Sequence, residues 1–267
     1  MRAMASLRLG PLLVGLFLLA ALIGPWLGVA DPMAIDLDHQ FETPTGAHPL
    51  GTADNGVDLL AAMLHGARLA AIVALVVVGA SVLVGTLLGA WAGLRGGPFD
   101  FVLGGVMDLV QSFPGIILNI AILALVAEPT LLHLIVALAV PGWVLYARLA
   151  RAEALSLRER EFVQAAQVLG ASDLRVLVRH VLPNLAGPVL IQATSAFGGV
   201  VLAESTLSFL GLGPATHVSW GAILDQGSGV LLRFPHVALV AGSAIALTVL
   251  GFNLTGDWLR DRTDVRG

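Results

Sequence analysis

The chain has 267 residues, of which 57% are hydrophobic and only 12% are charged. A soluble domain carries about 25% charged residues, so the composition excludes an ordinary globular protein and indicates one polytopic membrane domain. The chain has no cysteine, which excludes disulfides, thiol nucleophiles and cysteine metal sites. All 14 basic residues are arginine, and the absence of lysine excludes a P-loop, so any ATP hydrolysis belongs to another chain.

Six apolar runs are long enough to cross the roughly 30 Å hydrocarbon layer, and each is predicted to be helical because lipid leaves backbone amides unpaired. In chain order they are Leu9–Ala30, Leu69–Leu94, Phe101–Ala127, Leu131–Ala150, Leu185–Leu212 and Val237–Leu254. The first run could instead be a signal peptide. It is longer than the roughly 7–15 apolar residues usual for such a peptide, so we predict that it is retained as an anchor.

Six spans place both termini on the same side of the membrane. If that side is the cytoplasm, only Arg68 and Arg233 of the 14 arginines lie outside, which is a strong positive-inside signal. The predicted external segment 31–58 is acidic and contains three prolines. It is therefore predicted to be an ordered loop rather than a helix.

The second predicted span contains Gly85, Gly89 and Gly93 at intervals of four residues. Glycines with this spacing share one face of a helix and allow a neighbouring backbone to approach closely. They predict tight packing against another helix, either within the chain or in a partner. The alternative is that they reflect the general abundance of glycine in membrane helices.

The segment 151–183 is the longest predicted cytoplasmic loop, and its apolar residues repeat with helical spacing in two short stretches. The predicted apolar faces are Leu155, Phe162, Ala166 and Leu169 in the first stretch and Leu174, Leu177, Val178 and Val181 in the second. Gly170 stands where a helix favours a left-handed C-cap, Ser172 can cap the next helix, and Pro183 is predicted to stop it. Such a hairpin offers a surface to a partner protein; the alternative is a hairpin lying on anionic lipid.

This loop resembles the EAA loop in the permease subunits of bacterial ABC importers, whose pattern is E-A-A-x3-G-x9-I-x-L-P. The positions that keep the family spacing are Gln164, Ala165, Ala166, Gly170, Leu182 and Pro183. Two residues differ from the family pattern. Gln164 replaces the glutamate, and His180 stands where the family often has isoleucine. Other similar stretches are "HPLGT" from His48, "GAR" from Gly66, "SLREREFVQAA" from Ser156, "ESTLSFLGLG" from Glu204, "SWG" from Ser219 and "GDWLRD" from Gly256.

The resemblance covers nearly the whole chain and is specific to the smaller permease of the dipeptide, oligopeptide and nickel importers. It implies an all-α fold of the type I importer kind, with six transmembrane helices and a cytoplasmic coupling hairpin. Residues 1–50 are then an anchor and the start of the external loop, and residues 51–267 are the permease core with a coupling loop at about 151–183. The residues implied to couple to the ATPase are Gln164, Ala165, Ala166, Leu169, Gly170, Asp173 and Leu174.

The resemblance further implies a multi-pass protein of the bacterial inner membrane, with both termini cytoplasmic, that forms half of a pore for peptides or nickel complexes. The chain is not itself an enzyme and holds no cofactor, since ATP and Mg²⁺ belong to partner subunits. The implied partners are a second homologous permease, two ABC ATPase subunits, an extracytoplasmic substrate-binding protein and membrane lipid, with no nucleic acid.

Asp108 and Glu204 lie inside apolar runs. An ionisable group there is costly and faces the bundle interior or a water-filled path. Both residues are candidates for a pathway or gate, or for a buried hydrogen bond that fixes helix packing, and we favour packing. Asn119 and Gln111 are predicted to link helices, and Pro114 to kink the third span.

Two alternative functions are a secondary transporter and an intramembrane hydrolase. A self-sufficient secondary transporter needs its own coupling-ion site and usually inverted repeats, and the sequence shows no repeat. An intramembrane hydrolase needs a serine or metal constellation, but neither H-E-x-x-H nor G-x-S-x-G occurs. His133, His217 and His236 lack the spacing of a metal-ligand pair.

Overall fold

The computed structural model describes residues 2–27 and 31–264, which are helical and contain no β-strand beyond an isolated bridge between Thr52 and Asp58. The all-α prediction is confirmed. The α-helices are α1 (Arg2–Ile23), α2 (Leu59–Arg95), α3 (Gly97–Gln111), α4 (Gly115–Leu123), α5 (Leu131–Arg158), α6 (Glu161–Val168), α7 (Asp173–Val176), α8 (Leu182–Phe209), α9 (Trp220–Gly229) and α10 (Pro235–Asp264). A π-helical turn, Leu177–Val181, joins α7 to α8.

Four helical stretches of the described chain are long and apolar enough to cross a membrane. They are Leu59–Arg95, Leu131–Arg158, Asp173–Phe209 and Pro235–Arg262. Helices α3 and α4 make a fifth if they are counted as one bent span. The described apolar part of α1 is shorter, Leu9–Ile23, and the end of the predicted first span at 28–30 lies outside the described residues. The six-span topology therefore stays a prediction.

Helix α2 begins ten residues before the predicted span. Asp58 caps it, because its carboxylate Oδ1 accepts the backbone N–H of Ala61 at 2.8 Å. His65 and Arg68 interrupt the apolar pattern of this first part, which is why hydropathy alone placed the start at Leu69. The extra turns extend the N-terminal end of α2 to the loop 31–58.

The glycine stripe of α2 packs against α5, so the predicted tight contact is confirmed and its partner is within the chain. A Cβ added at Gly89 would lie 2.1 Å from the carbonyl oxygen of Ala147. Added at Gly85 or Gly93, it would lie 2.3 Å or 2.5 Å from other α5 carbonyl oxygens. Only glycine allows the two backbones to approach this closely.

The third predicted span is broken at Pro114, where α3 and α4 meet at a bend of 82°. The predicted kink at Pro114 is confirmed, and it is sharp enough to make two helices. Asn119 is buried in α4, and its amide nitrogen, placed to donate, lies 2.9 Å from the carbonyl oxygen of Ala137 in α5. The predicted interhelical role fits Asn119, whereas Gln111 is exposed on the side of α3 that the rest of the chain leaves open.

The segment 31–58, which is predicted to be external, is an ordered loop, as its prolines predict. The hydroxyl of Thr52 donates to the carbonyl of His39 at 2.5 Å and accepts the N–H of Glu42 at 2.8 Å. His48 Nδ1 lies 2.8 Å from Oδ2 of Asp58, the residue that caps α2. These bonds tie the loop to the outer end of α2.

Candidate functional site

The charged hairpin, defined here as Glu161–Val181, is anchored to the helical bundle by its own apolar residues. Val163 and Val176 are fully buried, in one cluster with Leu94 of α2 and Ala154 of α5. Burial of a valine side chain stabilises by about 1.5–3 kcal/mol. The hairpin is therefore a rigid extension of the bundle rather than a free linker.

A Schellman motif forms the turn of the hairpin, as the sequence predicts. Gly170 has φ +87°. Its N–H donates to the carbonyl of Gln167 at 2.9 Å, and the N–H of Ala171 donates to the carbonyl of Ala166 at 3.0 Å. Glycine reaches this left-handed conformation without the strain of a Cβ. The turn fixes the direction in which α6 points.

The second half of the hairpin begins as predicted but does not end as predicted. The hydroxyl of Ser172 accepts a backbone N–H of α7 at 3.4 Å, which confirms the cap. Pro183, however, does not stop the helix, because α8 continues from the π turn straight through it. A proline in the first turn of a helix removes no required bond, and Asn184 Nδ2 donates to the carbonyl of His180 at 2.6 Å.

The apolar tip of the hairpin is exposed, which corrects the predicted stripe of the first helix. Val163 is the buried anchor of α6, one residue from the predicted Phe162. The exposed fractions of the tip residues are 46% for Phe162, 87% for Val168, 87% for Leu169 and 62% for Leu174. An eight-residue helix has about two turns, so periodicity leaves its rotation uncertain by one residue, about 100°.

The residues predicted to bind the ATPase are gathered around this one turn. Those that are exposed are Gln164, Ala165, Leu169, Gly170, Asp173 and Leu174, and Ala166 is half-buried. Val168, which the sequence pattern does not single out, shares the highest exposure of the tip with Leu169. Its position directly before the capping turn was the available signal. The tip thus combines bulky apolar side chains with an acidic and an amide side chain.

Glu204 is fully buried where α8 meets the start of α9. Its Oε1 accepts the hydroxyls of Ser208 at 2.9 Å and Ser219 at 2.8 Å, and its Oε2 accepts the hydroxyl of Ser205 at 3.3 Å. Ser219 also caps α9. Trp220 follows directly and donates its indole N–H to α2. This geometry favours the packing role for Glu204.

Replacing Glu204 tests that role. Glu204→Gln keeps an acceptor oxygen in the same place, so we expect transport and yield close to wild type. Glu204→Leu leaves three hydroxyls without their acceptor, each costing about 1–3 kcal/mol, and should lower the melting temperature and the yield of detergent-extracted protein. Loss of uptake in Glu204→Gln with an intact, normally stable protein would instead assign Glu204 to the transport path.

Asp108 is not buried in this chain, so it does not make the buried hydrogen bond between helices that the sequence analysis favours. Its side chain is 73% exposed and pairs with Arg148 of α5, with Oδ1 and Nη2 2.6 Å apart. A second pair joins Asp100 to Arg151, with Oδ2 and Nη2 2.8 Å apart. Helix α3 packs on the bundle along one edge only, so its other side, with Asp108, is open.

The histidines considered as metal ligands have structural neighbours instead. His133 Nδ1 accepts the N–H of Thr130 at 3.2 Å and completes a capping box for α5, and His236 Nε2 lies 3.2 Å from the Thr52 carbonyl oxygen. Across residues 2–27 and 31–264, no group of three metal-ligating side chains is found.

The family described as "Binding-protein-dependent transport system inner membrane component" matches residues 85–266. A putative peptide transport system permease protein of Brucella suis is 41% identical over 263 residues, covering 98% of this chain and 88% of the relative.

Two further relatives have peptide-related names. The probable D,D-dipeptide transport system permease protein DdpC of Escherichia coli is 37% identical over 94% of this chain and 85% of its own length. The oligopeptide transport system permease protein OppC of Bacillus subtilis is 32% identical over 96% of this chain and 84% of its own length. The chain therefore belongs to the family of inner membrane components of binding-protein-dependent transport systems.

Proposed function

We propose that the chain is one of two permease subunits of an ATP-driven importer for short peptides. In this proposal it forms half of the pore with a second homologous permease, and two ATPase subunits and an extracytoplasmic binding protein complete the complex. The three relatives are named for peptide transport, which favours peptides over the nickel complexes that the sequence resemblance also allows. They do not favour a secondary transporter or a hydrolase.

The exposed tip of the hairpin carries the ATPase-binding part of the proposal. Val168 and Leu169 are each 87% exposed, at a turn whose backbone is fixed by two hydrogen bonds and whose base is buried in the bundle. The apolar residues that face the bundle are already covered, so the tip is what remains for a partner. A rigid apolar protrusion flanked by polar side chains suits a groove on another protein.

The open side of α3 supports the half-pore part of the proposal. Asp108 lies inside the third predicted span, roughly 10 Å along α3 from the start of that span at Phe101. An exposed ion pair at that depth is too costly to face lipid, and the broken backbone at Pro114 is tolerated only against protein or water. We therefore place the partner permease and the solute path on the side of the Asp108–Arg148 pair.

Orientation and organisation follow from the same proposal. The hairpin and both termini are cytoplasmic, and the loop 31–58 is external, in agreement with the arginine distribution. Residues 1–50 serve as anchor and start of the external loop, and 51–267 as the permease core. ATP binding closes the two ATPases, and the hairpins transmit that movement to the spans, giving alternating access.

Reconstitution tests this function. The tagged chain is purified with the proteins encoded beside it and placed in liposomes with ATP inside and the loaded binding protein outside. We expect the permease and ATPase partners to co-purify and ¹⁴C-trialanine to accumulate only when ATP is present. Accumulation driven by an ion gradient without the ATPases, or a chain that purifies alone and carries peptides, would contradict the proposal.

A further inference from the structure

A cavity of about 440 Å³, with both apolar and charged side chains in its lining, opens at the outer end of the molecule. Its size is within the roughly 300–1,000 Å³ usual for small-ligand sites. Four segments meet there: the N-terminal part of α2, the N-terminus of α5, the start of the external loop and the irregular link before α9. The charged and polar side chains that line it are Asp31, His65, Arg68, Thr216 and His217.

The two full charges in this cavity are opposite and unpaired. The side chain of Arg68 is exposed, and within the described ranges it has no ion-pair or hydrogen-bond partner. Asp31 accepts only the N–H of Met33, at Oδ1 and 2.9 Å. A cation and a carboxylate that line one cavity without binding each other leave both charges available to a ligand.

The cavity borders the apolar cluster that packs the second half of the broken span. Leu69 and Leu131 line it and also belong, with Leu123 of α4, to one apolar cluster beneath the broken span. The floor of the cavity is therefore built on the same packed core that holds α4.

We propose that this cavity is the entry subsite for a zwitterionic peptide, with Arg68 binding the C-terminal carboxylate and Asp31 the N-terminal ammonium. The inference rests on the proposed peptide-import function and adds the groups that the site recognises. The carboxylate–guanidinium contact is charge-assisted and geometrically specific. His65 and His217 lie at the same cavity and offer further hydrogen bonds to the peptide backbone.

Arg68 also borders an apolar groove of about 610 Å³ between α1 and α2. An anionic lipid could place its chain there and its phosphate on Arg68. We favour the peptide, because Asp31 at the neighbouring cavity would repel a phosphate but attract an ammonium group. The lipid becomes one outcome of the test.

The test uses the whole reconstituted complex, with saturating binding protein and either trialanine or trialanine amide as cargo. We expect Arg68→Gln to lower uptake of trialanine about tenfold, as loss of a charged hydrogen bond does, and to leave uptake of the amide unchanged. Asp31→Asn should lower uptake of trialanine but not of N-acetyl-trialanine. Arg233→Gln, an outside arginine that does not line the cavity, is the control.

A second measurement does not depend on transport of the amide. Because the chain has no cysteine, Thr216→Cys, an exposed residue that lines the same cavity and leaves Arg68 in place, can be labelled with an impermeant thiol reagent, and trialanine should slow that labelling severalfold. If the wild-type complex took up no peptide at all, the proposed function would be overturned. Peptide uptake that Arg68→Gln does not alter, or labelling that trialanine does not slow, would overturn only the subsite. Equal loss for trialanine and its amide, together with loss of co-purified anionic lipid, would assign Arg68 to lipid.

Discussion

Gly89→Val is expected to remove most of the folded permease from the membrane. An added Cβ at Gly89 would lie 2.1 Å from the carbonyl oxygen of Ala147, and its nearest contacts are all backbone atoms of α5. Those atoms cannot rotate away as a side chain can, so α2 and α5 must separate. The cost should exceed the about 1–3 kcal/mol usual for an overpacked core, because the whole helix pair shifts.

The same substitution elsewhere in α2 provides the control. Gly79 is exposed, and an added Cβ there would have no atom within 4 Å, so Gly79→Val should express and migrate like wild type. Fluorescence-detected size-exclusion chromatography of the two variants measures the amount of monodisperse protein. Equal yields for Gly79→Val and Gly89→Val would mean that the α2–α5 contact is not the close approach described.

Gly170→Val is expected to leave the permease folded but to uncouple it from ATP hydrolysis. An added Cβ at Gly170 would meet no atom within 4 Å, so the substitution causes no clash. It does place a β-branched residue at φ +87°, which costs about 1–3 kcal/mol and favours a different turn. The turn would then aim Leu169 and Leu174 in another direction, and we expect weaker ATPase co-purification and loss of cargo-stimulated hydrolysis.

Gly97→Val is the control that separates the effect of backbone strain from the effect of its position in the hairpin. Gly97 also has positive φ, +72°, and also has open space around a Cβ, but it is the first residue of α3, directly after the turn from α2. It should carry the same backbone cost without affecting the ATPase contact. If Gly170→Val retained wild-type coupling and co-purification, the turn would not set the geometry of ATPase binding, and the hairpin would be better described as resting on lipid.

Features that depend on neighbouring residues in the sequence were predicted better than contacts between distant parts of the chain. The cap at Ser172, the positive φ of Gly170 and the close approach at Gly89 each depend on a few neighbouring residues, and all three are confirmed. The partner of the glycine stripe could not be predicted, because a small-residue face fits any helix. The prediction that Pro183 stops the helix was wrong. This proline lies in the first turn of α8, directly after a π turn, where a proline is tolerated.

The candidate sites were predictable to different degrees. The hairpin has a sequence pattern, but its exposed face is off by one residue because two helical turns do not fix a rotation. The Asp108–Arg148 pair joins residues 40 apart in the chain, and no local pattern links them. The outer cavity with Arg68 and Asp31 gathers four segments that only the folded chain brings together.

Cross-linking from the hairpin tip tests the central claim most directly. In the otherwise cysteine-free chain, Leu169→Cys and the external control Thr43→Cys are each expressed with the neighbouring subunits and treated in membranes with a short thiol-to-amine cross-linker. We predict a cross-link from position 169 to the ATPase subunit, strengthened by ATP, and none from position 43. A chain whose hairpin tip cross-links only to lipid or to nothing, while the ATPase is present and active, would contradict the account.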